Sequence, residues 1–208
     1  TLPAFVDPET DVITVNGRKI RTAEKMHFLL NKSKGIICSN RDPQGRKKAI
    51  DLIPTDQRIF CVGRLDIDTT GLIIVTNDSE LSNKLTHPRY SLPKTYVVCV
   101  KGRISPEAVE KLKSGIWLSE GKTSKARVKV TKRNFKESLV EITIEQGLNR
   151  QIRRMFAKVG FPVKSLKRTQ IGKLNCRGLG VGKYRRLSPS EIAHLTKARK
   201  TRTAGRDK

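Results

Sequence analysis

Two apolar runs of strand length flank a short polar loop in the first half of the chain. The runs are Ile59–Val62 and Leu72–Thr76, and the loop between them is Gly63–Gly71. Runs of this length, bounded by turn residues, indicate strands that are buried in a sheet. A carboxylate on such a loop is held at the end of the sheet, where clefts form. Asp66 and Asp68 are therefore candidate site residues.

Strand patterns outnumber helix patterns in the rest of the sequence. We predict further strands at Met26–Leu30, Ile36–Cys38, Thr95–Val100, Arg127–Val130, Ser138–Glu145 and Val163–Leu174. Capping residues predict three helices, which begin after Asn77 or Asp78, after Ser105 and after Ser188. Because the strands do not alternate strictly with helices, we predict an α+β fold with a mixed sheet.

The clearest helix pattern is Asn149–Val159, and Gly160 follows it as a glycine at the end of a helix should. Apolar residues recur at helical spacing, at Ile152, Met155, Phe156 and Val159. Arginines form a second row at the same spacing, at Arg150, Arg153 and Arg154. By pattern alone, this is an amphipathic helix with a solvated basic side.

The charge of the chain favours a polyanionic partner. There are 44 Lys and Arg residues against 19 Asp and Glu, which gives a formal net charge of +25. Nucleic acid is the commonest partner of such a chain. Lys122–Lys136 holds seven basic residues and no acidic one, in strand-like alternation. An edge strand kept from aggregating by its charges would look the same, and charge does not separate an enzyme from a ribosomal or architectural protein.

Several other classes of protein are disfavoured. No apolar run approaches the roughly 20 residues that span a bilayer, and no signal-peptide pattern opens the chain. Because the first residue is Thr1, we expect a trimmed or cut product. The 4 cysteines and 3 histidines are scattered, without a Cys-x-x-Cys pair. This argues against a disulfide scaffold and a metal site, and favours reduced thiols in a cytosol.

By spacing alone, the loop at Gly63–Gly71 is a turn, since Asp, Thr and Gly are ordinary turn residues. A carboxylate pair for sugar hydrolysis is disfavoured, because Asp66 and Asp68 are too close in sequence to straddle a glycosidic bond. A phosphate-binding loop is disfavoured as well, because no Gly-Lys-Ser or Gly-Lys-Thr follows.

The same segment has a more specific resemblance. Gly63–Leu72, continuing to Asp78 and then through Leu85–Pro88, resembles the signature of bacterial rRNA pseudouridine synthases. The nearer resemblance is to the subfamily that often carries a small ribosomal-protein-like RNA-binding domain at its N-terminus. Further matching motifs follow in order at Lys94–Val98, Gln146–Met155, Leu166–Gly172 and Tyr184–Leu187. The resemblance covers about residues 26 to 195.

This resemblance implies a pseudouridine synthase fold, with a mixed, mostly antiparallel sheet, flanking helices and a central active-site cleft. It also implies an isomerase that converts a uridine of folded RNA to pseudouridine. The bond from nitrogen to sugar is cut, the uracil turns, and carbon 5 is joined to the same sugar carbon. Neither a cofactor nor a metal is required for this chemistry.

Three catalytic residues are implied by matching positions. Asp66 is the essential carboxylate, and two roles stay open for it, attack on the sugar carbon or removal of the neighbouring sugar proton. Both roles require an ionised carboxylate, and Arg153 matches the arginine that pairs with it. Tyr96 matches a tyrosine that packs against the flipped base and assists proton removal at carbon 5. Without the resemblance, Tyr96 would be a half-buried strand residue.

A second set of residues is expected to bind RNA. Arg64 matches an arginine that holds the extruded nucleotide, and we expect Arg150 and Arg154 to meet phosphates. Further phosphate contacts are expected from Arg41, Arg46, Lys47, Lys48, Arg127 and Lys129. Such contacts would offset the few kcal/mol that extruding a base costs.

The predicted organisation has three parts. Residues 1–25, with a turn at Asn16–Gly17, form a lead-in that resembles the end of an N-terminal RNA-binding domain. Residues 26–195 form the catalytic domain, and residues 196–208 form a basic disordered tail.

We predict a monomeric cytoplasmic enzyme of ribosome biogenesis, with no membrane association, that acts on ribosomal RNA or a pre-ribosomal particle. Arg150 stands where small-subunit enzymes more usually have His, which favours large-subunit rRNA. Small-subunit rRNA or tRNA remains an alternative target. A non-catalytic RNA-binding assembly factor is the alternative from another class.

Overall fold

The computed structural model describes residue 7 and residues 11–19, 23–87 and 92–197. Its strands are β1 (Thr14–Val15), β2 (Arg18–Lys19), β3 (His27–Lys32), β4 (Phe60–Cys61), β5 (Thr69–Thr76), β6 (Lys94–Lys101), β7 (Trp117–Leu118), β8 (Gly121–Lys122), β9 (Arg127–Arg133), β10 (Glu137–Ile144), β11 (Val163–Ile171), β12 (Leu174–Asn175) and β13 (Tyr184–Arg186). Its helices are α1 (Ser79–Thr86), α2 (Pro106–Ser114), α3 (Gln151–Lys158) and α4 (Pro189–Thr196), with a 3-10 turn at Ala49–Leu52.

Nine strands form one sheet in the order β13-β3-β5-β11-β6-β10-β9, with β4 paired to β5 and β12 paired to β11. β5 and β11 run parallel, and the other neighbours in this sheet are antiparallel. The α+β class with a mixed, mostly antiparallel sheet is therefore confirmed. The pairs β1–β2 and β7–β8 are separate two-stranded hairpins.

Both faces of the central sheet are covered, which explains the continuous apolar runs Phe28–Leu30 in β3 and Leu72–Val75 in β5. Along β3, Phe28 and Leu30 join the larger core cluster while Leu29 joins the smaller one. The larger cluster includes residues of α2 and α3, and the smaller includes residues of α1 and α4. No helix in the described part of the chain is long and apolar enough to cross a bilayer.

The helices begin where their capping residues predict. Asp78 accepts a hydrogen bond from the N–H of Leu81, and Ser105 and Ser188 cap α2 and α4 in the same way. The exception is α3, which begins at Gln151, two residues later than predicted. Arg150 precedes it in a left-handed conformation with φ 46°, so the helix cannot extend backwards through that residue.

Two strand predictions were wrong in detail. Ile36–Cys38 is not a strand, and Ile37 forms only an isolated bridge with Lys48. The carbonyl of Ile36 instead accepts a hydrogen bond from the buried Lys32 ammonium. The predicted strand Val163–Leu174 is broken after Ile171, where the chain turns at Gly172 into β12.

The sheet and the helices packed on it are formed by residues 27–196, from β3 to α4. Thr196, the last residue of α4, lies one residue past the predicted catalytic domain, in the part predicted as a disordered tail. The predicted turn at Asn16–Gly17 joins β1 to β2. Residues 1–6, 8–10 and 20–22 of the lead-in, and residues 198–208 of the predicted tail, lie outside the described residues.

Candidate active site

Asp66 lies on the loop between β4 and β5, at the end of a central strand. Leu65 is buried and anchors the loop in the core, while Arg64 is exposed. The N–H of Thr69, the first residue of β5, donates to the Asp66 carbonyl at 2.9 Å. The loop is therefore a tight turn that holds Asp66 at the end of the central strand β5. This is the position that the flanking apolar runs predicted.

A buried lysine forms hydrogen bonds with this loop. Lys32 is fully buried, and its ammonium donates to the carbonyls of Ser33 at 3.0 Å, Ile36 at 2.7 Å and Ile67 at 3.4 Å. Burial lowers the pKa of Lys32, while negative charge nearby, including that of Asp66, acts to raise it. Lys32 thus ties the end of β3 to the residue that follows Asp66.

Two arginines of the α3 region approach the same oxygen of Asp66. Arg150 Nη1 lies 3.4 Å and Arg153 Nε lies 3.6 Å from Asp66 Oδ2. The Asp66 side chain is 26% exposed and that of Arg153 is 14% exposed, so this pairing is only partly screened by water. Arg153 Nη2 also donates to Thr69 Oγ1 at 3.4 Å. These contacts place a carboxylate between two guanidinium groups.

Opposite the loop, β6 and β11 bring a phenol and two further cations together. Tyr96 is buried, and its hydroxyl lies 3.5 Å from Arg168 Nη1. Arg168 is 4% exposed and donates through Nε to the Leu72 carbonyl at 2.6 Å. Lys94 lies two residues before Tyr96, on the same face of β6, and burial together with the charge of Arg168 lowers its pKa to about 8.

Gly71 allows this arrangement. A Cβ at this position would lie 2.1 Å from the backbone oxygen of Arg168, and Gly71 has a φ of +103°. Only glycine therefore lets the start of β5 approach β11 closely enough for the guanidinium to reach the Leu72 carbonyl.

The side chains around Asp66 and those around Tyr96 line one cleft of about 570 Å³. Its polar lining includes Asp66, Tyr96, Arg153, Arg168 and Lys94. The volume falls within the range of small-molecule sites. Among the described residues, no group of His, Cys, Asp and Glu side chains could hold a metal ion. The cleft combines two carboxylates, Asp66 and Glu145, with several cations, which suits a ligand that carries or develops negative charge.

Comparison with known proteins identifies the family. The family model for RNA pseudouridylate synthase matches residues 26–158. The chain belongs to the RNA pseudouridylate synthase family. It is an isomerase that acts on RNA.

Individual relatives agree with this assignment. The chain is 46% identical over 189 residues to ribosomal large subunit pseudouridine synthase B of Bacillus subtilis, covering 89% of this chain and 78% of that protein. It is 38% identical to an uncharacterized RNA pseudouridine synthase of Aquifex aeolicus, covering 95% and 80%. A crystal structure of a pseudouridylate synthase superposes with a TM-score of 0.77 at 30% identity, covering 92% of this chain and 83% of that one.

The three residues expected to be catalytic in this pseudouridine synthase all line the cleft, and so does Arg64. The structure brings Asp66 and Arg153 together as expected. Arg150 was expected at phosphates but lies against Asp66, because its left-handed backbone at the start of α3 turns it over the loop.

Other predicted phosphate ligands have protein partners. Arg154 forms two hydrogen bonds of 2.8 Å with Glu120, at the turn between β7 and β8. Arg46 pairs with Asp42 at 2.7 Å, and Lys48 Nζ lies 3.3 Å from an oxygen of Asp51. Sequence spacing could not separate these paired cations from the exposed cations for which the described residues show no ion pair. The latter are Arg41, Lys47, Arg127 and Lys129.

Sequence reasoning assigned no role to Lys32, Lys94 or Arg168. No sequence signal marked Lys32, which follows Asn31 at the end of β3 and lies outside the predicted strand Met26–Leu30. Lys94 and Arg168 stand within the matching motifs, but their burial in the cleft depends on how β6 and β11 pair.

Proposed function

We propose that this enzyme isomerises a specific uridine of large-subunit ribosomal RNA to pseudouridine, with Asp66 as the catalytic carboxylate. The observation that carries the proposal is the position of Asp66 in the cleft, paired with Arg150 and Arg153 on a loop that Lys32 holds through the Ile67 carbonyl. The choice of large-subunit RNA is supported by the name of the Bacillus relative.

The reaction needs no net redox change. The bond between C1′ and N1 breaks, the uracil turns, and a bond forms between C1′ and C5. The proton on C5 leaves and N1 gains one, so atoms and charge balance. Asp66 either attacks C1′ or removes the neighbouring sugar proton, and both roles use the carboxylate anion. The adjacent cations stabilise negative charge at that position.

Tyr96 and Arg64 complete the proposed site. Tyr96 packs against the extruded uracil and assists removal of the C5 proton, and its burial next to Arg168 supports this role. Arg64 is exposed on the rim of the cleft, where it can hold the extruded nucleotide in place.

Binding of the surrounding RNA is assigned to the basic surface. Arg127 and Lys129 are exposed on β9, the edge strand of the sheet, and Arg41 and Lys47 are exposed on the loop that precedes the 3-10 turn. Their phosphate contacts would offset the few kcal/mol that it costs to unstack the target base. The partner is rRNA or a pre-ribosomal particle, and the enzyme acts as a monomer in the cytoplasm.

We keep the predicted organisation as part of this proposal. Residues 26–195 are the catalytic domain, residues 1–25 are a lead-in that is the remnant of an N-terminal RNA-binding domain, and residues 196–208 are a basic disordered tail that contacts RNA transiently.

Tritium release from rRNA labelled at uracil C5 tests the proposal. Wild type, Asp66→Asn and Asp68→Asn are compared on large-subunit and small-subunit transcripts and on immature ribosomal particles. Asp68 is the matched control, since its side chain is an exposed carboxylate on the same loop. We expect release by wild type and Asp68→Asn from large-subunit RNA, and none by Asp66→Asn, while RNA affinity is retained.

Other outcomes point to the alternatives. Release from small-subunit RNA alone would show that the enzyme catalyses the same isomerisation on small-subunit rRNA instead. Tight binding without release from any substrate would favour a non-catalytic assembly factor. Wild-type turnover by Asp66→Asn would show that the site assignment is wrong.

A further inference from the structure

Arg168 is a buried cation whose charge no carboxylate of the described residues neutralises at ion-pair distance. It is 4% exposed and lines the cleft. Its two hydrogen bonds go to neutral oxygens, the Leu72 carbonyl at 2.6 Å and the Tyr96 hydroxyl at 3.5 Å. Two carboxylates line the cleft: Asp66 is engaged by Arg150 and Arg153, and Glu145 is exposed just past the end of β10. A buried charge without a counter-ion is costly, which points to a ligand that supplies negative charge.

Lys94 places a second cation beside it. Its ammonium donates to the Leu92 carbonyl at 3.0 Å, again a neutral oxygen. Arg168 and Tyr96 stand opposite each other in the register of β11 and β6, and Lys94 shares the face of Tyr96 on β6. One wall of the cleft is therefore cationic around Tyr96, while Asp66 and its arginines come from the β4–β5 loop and α3.

The isomerisation creates a transient anion that fits this wall. When the bond between C1′ and N1 breaks, its electron pair stays with the uracil, and the charge spreads to the two carbonyl oxygens. Asp66 cannot stabilise that charge, since it is itself an anion. A fixed donor directed at the developing charge is the kind of group that lowers such a barrier.

We propose that Arg168 donates a hydrogen bond from its guanidinium to a carbonyl oxygen of the target uracil and stabilises the detached uracil anion. This inference rests on the proposed function. The charge is discharged when C5 bonds to C1′, the C5 proton leaves and N1 is protonated. Lys94 adds positive potential behind the same oxygen. Arg168 is then a catalytic residue, and its bond to the Leu72 carbonyl holds the guanidinium in place.

Leaving-group chemistry tests this role. One RNA is prepared with uridine or 5-fluorouridine at the target position, because fluorine withdraws electrons and makes the detached base easier to release. Single-turnover loss of the target nucleoside is followed for wild type, Arg168→Gln and Arg168→Lys by digestion of the RNA and chromatographic separation of the nucleosides before mass detection, since uridine and pseudouridine have the same mass. Arg103→Gln, an exposed arginine on the loop between β6 and α2, is the matched control. RNA affinity and thermal stability are measured for each protein.

We expect Arg168→Gln to lose about 100-fold on uridine, as removal of one fixed donor does elsewhere, and clearly less on 5-fluorouridine. Arg168→Lys should fall between wild type and Arg168→Gln, with RNA affinity unchanged. If Arg168→Gln does not fold, the same comparison is made with Arg168→Lys.

Equal losses on the two substrates would mean that Arg168 only supports Tyr96 and β5, and would overturn the inference. Wild-type rates for Arg168→Gln would overturn it too. Conversion of uridine by wild type in the same assay separates this failure from a failure of the proposed function.

Discussion

Two carboxylates of this protein are held by arginines in opposite ways. Glu191, at the start of α4, receives two hydrogen bonds from Arg185 at 2.7 and 2.8 Å and one from the N–H of Ser188 at 2.9 Å. Asp66, in the cleft, lies 3.4 and 3.6 Å from two arginines, and both approach a single oxygen. The first carboxylate is saturated by the protein, whereas the second leaves hydrogen-bonding capacity for a ligand.

We interpret the Glu191 pair as structural and the Asp66 pair as part of the proposed active site. A closed bidentate pair stabilises one geometry of the protein. The buried Nε atoms of Arg153 and Arg154 both lack a hydrogen-bond partner among the described residues, but Arg154 is held by Glu120 through both of its terminal nitrogens. An unpartnered buried donor is costly in the free protein, and Arg153 lines the cleft, where a ligand can satisfy it. Contacts that improve in the transition state are the ones that accelerate a reaction.

The largest effect is expected for one of two adjacent arginines of α3, Arg153 and Arg154. Arg153→Gln should reduce kcat about 100-fold, because Arg153 faces Asp66 in the cleft. Arg154→Gln removes the bidentate pair with Glu120 and should change kcat less than about 3-fold, with a small loss of stability. Single-turnover kinetics on the target RNA check both values. Equal losses would mean that the loose and the closed pairs do not differ in function.

A second prediction concerns the outer surface. Changing Arg127, Lys129 and Lys47 together to Gln should weaken RNA binding and flatten its salt dependence by about 0.7–0.9 per lost contact, while kcat on bound RNA is kept. Titrations at several salt concentrations measure the slope. Lys113→Gln, at a lysine paired with Glu110, is the control and should leave the slope unchanged. An unchanged slope in the triple variant would refute the assignment of this surface.

The smallest effect is expected at the closed pair. Arg185 lowers the pKa of Glu191 to about 2 from its ordinary 4.5. A lowered pKa in the folded state stabilises the protein above pH 4.5, and this stabilisation is lost as the pH falls towards 2. Because Arg185 is 39% exposed, we expect only about 1 kcal/mol.

Glu191→Gln should therefore remove this part of the pH dependence and leave isomerisation at neutral pH intact. Denaturant unfolding between pH 2 and 6 measures the first effect, and tritium release measures the second. A variant that keeps the wild-type pH dependence would show that the pair does not contribute.

Local elements could be predicted from the sequence because their causes are local. The starts of α1, α2 and α4 follow from a single capping side chain each, at Asp78, Ser105 and Ser188. The strands β9 and β10 follow from their alternating patterns, and the family motifs predict Asp66, Tyr96 and Arg153 as site residues.

The tertiary structure decided which cations are paired within the protein and which stay available in the cleft. By sequence spacing, Arg153 and Arg154 belong to the same row of arginines. Only the tertiary structure places Glu120 where it forms a bidentate ion pair with Arg154. Lys32 and Arg168 became buried polar residues because β3, β5, β6 and β11 enclose them, and this depends on contacts between distant segments. The sequence determines how many charged side chains the protein has. Whether each one is neutralised within the protein, and what it can therefore bind, depends on its neighbours in the folded structure.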